Sequence, residues 1–175
     1  MNYKNVKYCT DCGHLLKEVY LEGEGMVPYC PSCKEHRFPI FNTAVSMIVY
    51  NEDSSKILLI KQYNRPHHIL VAGYVNKGED AEDALARELM EEVGLSVVEY
   101  RFNRSHYFAR SNTLLLNFVV RTAGKVQITK EVDSFEWFSV EEAKCAVKNP
   151  SLARAFLLGH LTGEFSFPNE NRIER

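Results

Sequence analysis

Two runs of apolar residues, Thr43–Tyr50 and Lys56–Gln62, are short, rich in β-branched side chains and separated by the polar turn Asn51-Glu52-Asp53-Ser54-Ser55. They predict paired strands. Ile69–Val75 is a third apolar segment, broken by Gly73. From Asp80 to Val93 the apolar residues recur at helical spacing, between Asp80 as a prospective N-cap and Gly94 as a prospective C′ glycine. Strand-like patterns return at Val97–Phe108, Thr113–Arg121, Lys125–Thr129 and Ser134–Val140, and helical ones at Val140–Val147 and Ser151–Leu161. Strands flanking one strong helix, with two helices at the end, predict a mixed α/β sandwich of the α+β kind. After Gly163 the pattern turns polar, so residues 164–175 are expected to be a frayed or loosely docked tail.

The first 38 residues follow neither period. Their signal is cysteine placement: Cys9-x2-Cys12, seventeen residues, then Cys30-x2-Cys33. Two such pairs predict a tetrahedral Zn2+ site, with two thiolates on each tight turn and Zn–S bonds near ~2.3 Å. Gly13 after the first pair and Pro31 within the second suit knuckle turns, and Glu22-Gly23-Glu24-Gly25 predicts a turn between them. So short and polar a segment buries little apolar surface, so the metal is expected to supply much of its folding free energy. The expected organisation is a zinc ribbon at 1–38, a main domain at 39–163 beginning at Phe38-Pro39-Ile40, and the tail. The fifth cysteine, Cys145, is expected to be a small core residue.

Charge narrows the function. The chain carries a net charge of −2, and its ribbon sets Lys4, Lys7, Lys17, Lys34 and Arg37 against Asp11, Glu18, Glu22, Glu24 and Glu35. There is no basic stripe of the kind that reads nucleic acid. No apolar run approaches the ~18–20 residues of a membrane span, and Met1-Asn2-Tyr3-Lys4 lacks the apolar start of a secretory signal. These features predict a cytoplasmic protein acting on a small molecule, away from membranes. A homodimer remains open.

The helix at 80–93 carries the chemistry. At about 100° per residue, Glu91 and Glu92 fall roughly 60° and 40° either side of Glu88, while Leu85, Leu89 and Val93 form the adjoining core face. Like charges at i,i+3 and i,i+4 repel, and Arg87 is the one nearby counter-charge. Such a face is either solvated or a site for a hard cation such as Mg2+ or Mn2+. Its surroundings favour the cation: Gly73, Glu79, Arg87-Glu88-Leu89, Glu91-Glu92 and Gly94-Leu95 read G-x5-E-x7-R-E-U-x-E-E-x-G-U, with U a bulky aliphatic. This resembles the signature box of the Nudix hydrolases.

The resemblance implies an α/β/α sandwich with a mixed sheet, and hydrolysis of a nucleoside diphosphate linked to another moiety, at the pyrophosphate. It implies Glu88 and Glu92 as principal Mg2+ or Mn2+ ligands and Glu91 as a further ligand or the base. It also implies a backbone carbonyl at Ala72 or Gly73 in the metal shell, and Arg87 pairing with Glu79. A four-cysteine ribbon before such a domain is similar to the NADH pyrophosphatase branch, some of whose members remove NAD caps from RNA. That implies NAD(H) as the leading substrate, with NMN(H) and AMP as products, and capped RNA as the one nucleic acid to consider. The branch carries S-Q-P-W-P-F-P-x-S after the box. Here Ser105-His106-Tyr107-Phe108-Ala109-Arg110-Ser111-Asn112-Thr113 keeps the first Ser and an aromatic but lacks the Gln and every Pro.

Tyr107 or Phe108 is expected to stack on a base or nicotinamide ring, and Arg65, Lys77 and Arg110 to meet anions. His67 and His68 are expected to be exposed loop imidazoles. Where many relatives carry a metal-binding Glu before the Trp, Ser134 stands, with Asp133 and Glu131 as replacements. ADP-ribose, FAD or another dinucleotide is the rival substrate, and a nucleotide-sensing module whose ribbon binds RNA or a partner is the rival of another class.

Overall fold

The computed structural model describes residues 7–38 and 40–168. The chain forms two compact units, Met1–Phe41 and Asn42–Arg175.

The first unit is a three-stranded antiparallel sheet of β1 (Lys17–Leu21), β2 (Gly25–Cys30) and β3 (Glu35–His36), in that order. Gly23 and Gly25, both at φ 83°, make the β1–β2 turn. Val27 and Cys30 are fully buried, while Tyr20 and Met26, opposite each other across the hairpin, are exposed. So small an apolar centre needs another source of stability.

The second unit is built on β4 (Asn42–Tyr50), β5 (Lys56–Gln62), β6 (Val71–Tyr74), α1 (Ala81–Val93), β7 (Ser96–Phe108), β8 (Thr113–Ala123), β9 (Val132–Ser139), α2 (Val140–Ala146) and α3 (Leu152–Thr162). The sheet order is β7-β8-β4-β5-β9, with β6 also on β4; β4 and β8 run parallel and the other pairs antiparallel. Strand alternation sorts the core into two layers. Val45, Met47, Val49, Leu58, Ile60 and Val120 pack with Leu85, Leu89 and Val93 of α1. Ile48, Ile57 and Leu59 pack with Ala143 of α2 and Phe156 and Leu157 of α3. A sheet covered on both faces explains why β4 and β5 read as nearly unbroken apolar runs.

Three expectations change. Lys125–Thr129 is not a strand. Its Gln127 and Thr129 N–H groups donate to the carbonyls of Val93 (2.8 Å) and Glu92 (3.4 Å), satisfying helix-end acceptors that α1 leaves free. The tail is docked over its described part, because Phe165 and Phe167 pack on the α3 layer. A Cβ at Gly159 would stand 2.2 Å from the Phe165 ring, so that glycine makes room for it. Cys145 is exposed, two residues past the inward-facing Ala143 on a short helix. Among the described residues no helix is long and apolar enough to cross a membrane.

Candidate active site

Helix α1 begins at Asp80 without a side-chain cap bond and ends at Gly94, whose left-handed φ of 68° is the conformation a C′ glycine supplies. Between them the helix turns one face to the core and the other toward the loop after β6. Arg87 occupies the middle of that face. Its Nε and Nη2 donate to both oxygens of Glu79 (2.7 and 2.9 Å), its Nη1 to Glu88 (2.7 Å) and Glu91 (2.9 Å), and its Nη2 also to the Tyr74 carbonyl (2.9 Å). The Asn76 N–H adds a bond to Glu79 at 2.9 Å. One guanidinium thus ties loop to helix through its planar fork. The Arg87 bonds, then the Asn76 N–H, hold the Glu79 carboxyl down at about 2.

Glu88 lies against Gly73. A Cβ there would stand 1.9 Å from its carboxyl carbon, so only glycine admits the carboxylate at this place. Glu92 is the buried member, 4% exposed. Gln62, inward-facing at the end of β5, donates from Nε2 to its Oε1 at 2.7 Å, while Oε2 is buried without a hydrogen-bond partner. Burial pushes the Glu92 carboxyl up to about 7, with the charges of Glu88, Glu131 and Glu91 adding to it against the Gln62 bond. A buried carboxylate with one orphaned oxygen, ringed by like charge, has the chemistry of a cation ligand.

The four cysteines make a tighter cluster in the first unit. Their sulfurs all lie within 4.8 Å of one another, with Cys9 and Cys33 at 3.9 Å and Cys12 and Cys30 at 3.5 Å. A tetrahedron with Zn–S bonds of ~2.3 Å has S···S edges of about 3.8 Å, so the residues fit Zn2+. All four are free thiols. Gly13 (φ 72°) and Lys34 (φ 61°) each follow a pair in the left-handed conformation, making two equivalent knuckles. The Cys12 N–H, the largest of several hydrogen bonds, lowers the Cys9 thiol to about 6, whereas Cys33 is pushed up to about 12, first by Cys12. Four sulfurs this close cannot all ionise without a cation among them. Among the described residues this is the one group of three or more metal-ligating side chains that converges so closely.

A family model described as a NUDIX domain matches residues 40–157. The chain belongs to the Nudix family. Among similar proteins are the NAD-capped RNA hydrolase NudC of Escherichia coli O1:K1 / APEC, 28% identical over 160 residues, and its namesake from Shigella flexneri, 29% identical. The match to the first covers 89% of this chain and 60% of that protein, so the chain spans about three-fifths of the length of these relatives. A solved NUDIX hydrolase from Nitrosomonas europaea superposes with a TM-score of 0.63 at 20% identity, covering 93% of this chain and 97% of that one. The Escherichia coli dihydroneopterin triphosphate pyrophosphohydrolase superposes with a TM-score of 0.53 at 19% identity, covering 71% and 99%. At such identities these two structures speak for the fold, which is the Nudix sandwich.

The remaining sequence candidates are scattered around this Nudix fold. Tyr107, one residue before the end of β7 and opposite Leu114, is exposed, with its hydroxyl donating to Asn112 at 2.6 Å. Strand alternation turns Phe108 to the other face, so the two aromatics do not act together. Arg110 sits in the 3-10 turn Ala109–Ser111. His68 is not an exposed imidazole: its ring packs edge-on to Phe138 at 5.0 Å, while His67 is exposed. The β9 bulge sets Ser134 opposite Lys61, on the face away from Gln62. Asp133 accepts from the Asn64 N–H at 2.6 Å, and Glu131 is the member of that trio whose charge bears on Glu92. Gln62 is the residue that sequence reading missed. Its signal was a polar side chain in phase with Leu58 and Ile60 on the α1 face.

Proposed function

We propose that this chain is a metal-dependent pyrophosphatase that cleaves NAD(H) into NMN(H) and AMP. The observation that carries the reading is the charge imbalance of the site: Glu79, Glu88 and Glu91 surround a single guanidinium, and the buried Glu92, bonded to Gln62 instead, keeps an unpartnered oxygen. Those residues fit Mg2+ or Mn2+, with Glu88 and Glu92 as principal ligands, Glu91 as a further one, and backbone at Ala72 or Gly73 completing the set. Bound there, the ion supplies neutralisation of the diphosphate and a more acidic attacking water.

The protein's own contributions follow from geometry. Arg87 keeps the Glu79 loop registered on α1, so that Gly73 and Glu88 stay in contact. Gln62 fixes Oε1 of Glu92 and leaves Oε2 without a hydrogen-bond partner. Glu91, whose side chain is 59% exposed, is the carboxylate best placed to take a proton from water. Tyr107 offers a ring for base or nicotinamide, and Arg110 a charge for phosphate.

NAD(H) is the leading substrate because NudC proteins are similar over most of the chain and the ribbon precedes the box. Capped RNA is secondary, since the ribbon carries no net charge. Cytoplasmic residence suits four thiols held reduced for Zn2+. ADP-ribose or FAD is favoured by one specific observation. Ser105–Phe108 continues β7 as regular strand where the NADH branch has a proline-rich segment. The test is release of AMP from NADH, NAD+, ADP-ribose, FAD and NAD-capped RNA with Mg2+ or Mn2+. Hydrolysis of ADP-ribose or FAD orders of magnitude faster than NADH would overturn the NAD(H) assignment and leave the Nudix chemistry standing.

A further inference from the structure

Strand β7 ends the sheet. It pairs with β8 along one edge, and among the described residues no backbone hydrogen bond leaves its other edge. An open edge of 13 residues is a template for another strand, which proteins usually blunt with charges or bulges. Two bulges are present. The register against β8 slips between Val97 and Glu99 and again between Phe102 and Arg104, leaving Glu99–Phe102 as regular strand. All of Val98–Phe102 is exposed, and three of the five are large and apolar: Val98 (46%), Tyr100 (48%) and Phe102 (55%).

Alternation divides the regular run by face. Tyr100 and Phe102 meet the Phe118 ring edge-on at 6.1 and 5.7 Å, on the α1 side. Glu99 and Arg101 take the other side, where Glu99 accepts from Arg121 at 3.0 Å and Arg101 lies 3.3 Å from His160. Glu52 also bears on Arg121, so two carboxylates balance two guanidiniums and the face is neutral.

We infer that this edge is an interface between two copies of the chain, paired antiparallel about a two-fold axis through Tyr100. Opposite residues in a sheet share a face, so an axis normal to the sheet passes through a residue and not between two. An axis through Glu99 or Arg101 would set like charges against each other. An axis through Phe102 would set Arg101 against the bulged Asn103. Within the regular run, only the axis through Tyr100 sets Glu99 against the second copy's Arg101, and it does so twice. Tyr100 then meets itself, and Val98 comes beside Phe102 at either end. Each copy covers the other's exposed aromatic residues and closes its edge. The bulges confine the ladder to Val98–Phe102, so the interface is small and the dimer exchanges with monomer. The assignment does not depend on the proposed catalytic activity.

The experiment is sedimentation equilibrium of the full chain from ~10 μM to ~1 mM, where a reversible monomer–dimer equilibrium is expected. Glu99→Arg and Arg101→Glu each replace two attractive pairs by two repulsive ones. Each is expected to raise the dissociation constant about tenfold or more. Mixed in equal amounts, the two variants are complementary again and are expected to dimerise as the unaltered chain does. If either fails to fold, Tyr100→Lys, which sets two like charges on the axis, is expected to release the dimer to monomer. A chain that stays monomeric to ~1 mM, its edge closed or kept for another partner, would overturn the interface. So would a dimer indifferent to these variants, or one lost in both charge variants and not recovered on mixing.

Discussion

The chain holds two clusters of side chains that can carry negative charge, and they are organised in opposite ways. In the ribbon, four sulfurs come within 4.8 Å of one another, and Arg37 touches the cluster only from outside, 3.4 Å from Cys9 and bound to Asp11 and Glu35. On α1, Arg87 stands among the carboxylates of Glu79, Glu88 and Glu91 and bonds to all three. A closed tetrahedron of thiolates has no position left for substrate, whereas carboxylates spread around a guanidinium leave room for phosphate oxygens and water. The first arrangement suits a structural ion and the second an exchangeable, catalytic one.

Breaking the ribbon should have the largest effect. Structural zinc is worth about 10–16 kcal/mol to a small module with little core. Cys30→Ser, at the fully buried ligand, is expected to take zinc content from one per chain to none and to abolish amide-exchange protection across β1 and β2. Retained protection without zinc would show that the sheet stands unaided.

The α1 cluster should respond in rate and not in fold. Glu88→Gln removes a charged ligand while keeping an acceptor for Arg87, so turnover on the best dinucleotide should fall by ~10²-fold or more. Zinc content should not change. Full activity would mean that α1 is a solvated face.

The contrast sharpens with pH. The Glu92 carboxyl is raised from 4.5 to about 7, so its neutral form favours folding. That contribution is present below pH ~4.5 and is lost as pH rises toward and through 7. In metal-free protein, Glu92→Gln should therefore leave stability little changed at pH 4.5 and raise it by about 1–3 kcal/mol at pH 8, read from urea melts. Glu79 runs the other way: held at about 2 by Arg87, its contribution is present above pH ~4.5 and fades as pH falls through 2. Equal gains for Glu92→Gln at both pH values would contradict the burial argument.

The smallest expected effect comes from Gly73→Ala. The methyl would displace only the end of a flexible glutamate, so the melting midpoint should barely move while turnover drops about tenfold through misplacement of Glu88. A change in stability without a change in rate would show that Glu88 does not act from its contact with Gly73.

Much of the acidic α1 face was legible in advance because a helix converts spacing into direction. Glu88, Glu91 and Glu92 share an arc whatever packs around them, and Arg87 reaches Glu79 through a short loop. Lys125–Thr129 misled because its alternation resembles a strand, while the free carbonyls at the end of α1 claimed its N–H groups. Phe165 and Phe167 looked like parts of a polar tail, and only the gap at Gly159 shows where the first of them fits.

The sequence by itself determined the four-cysteine pattern, the acidic α1 face and the family, since each rests on residues near in the chain and on local backbone geometry. The tertiary structure alone decided which carboxylate is buried and which stays wet, because burial depends on strands far away in sequence. Gln62 reaches Glu92 across thirty positions, and Tyr50 meets His160 across more than a hundred. Desolvation and long-range hydrogen bonds set the charge of such groups, and neither has a periodicity to read.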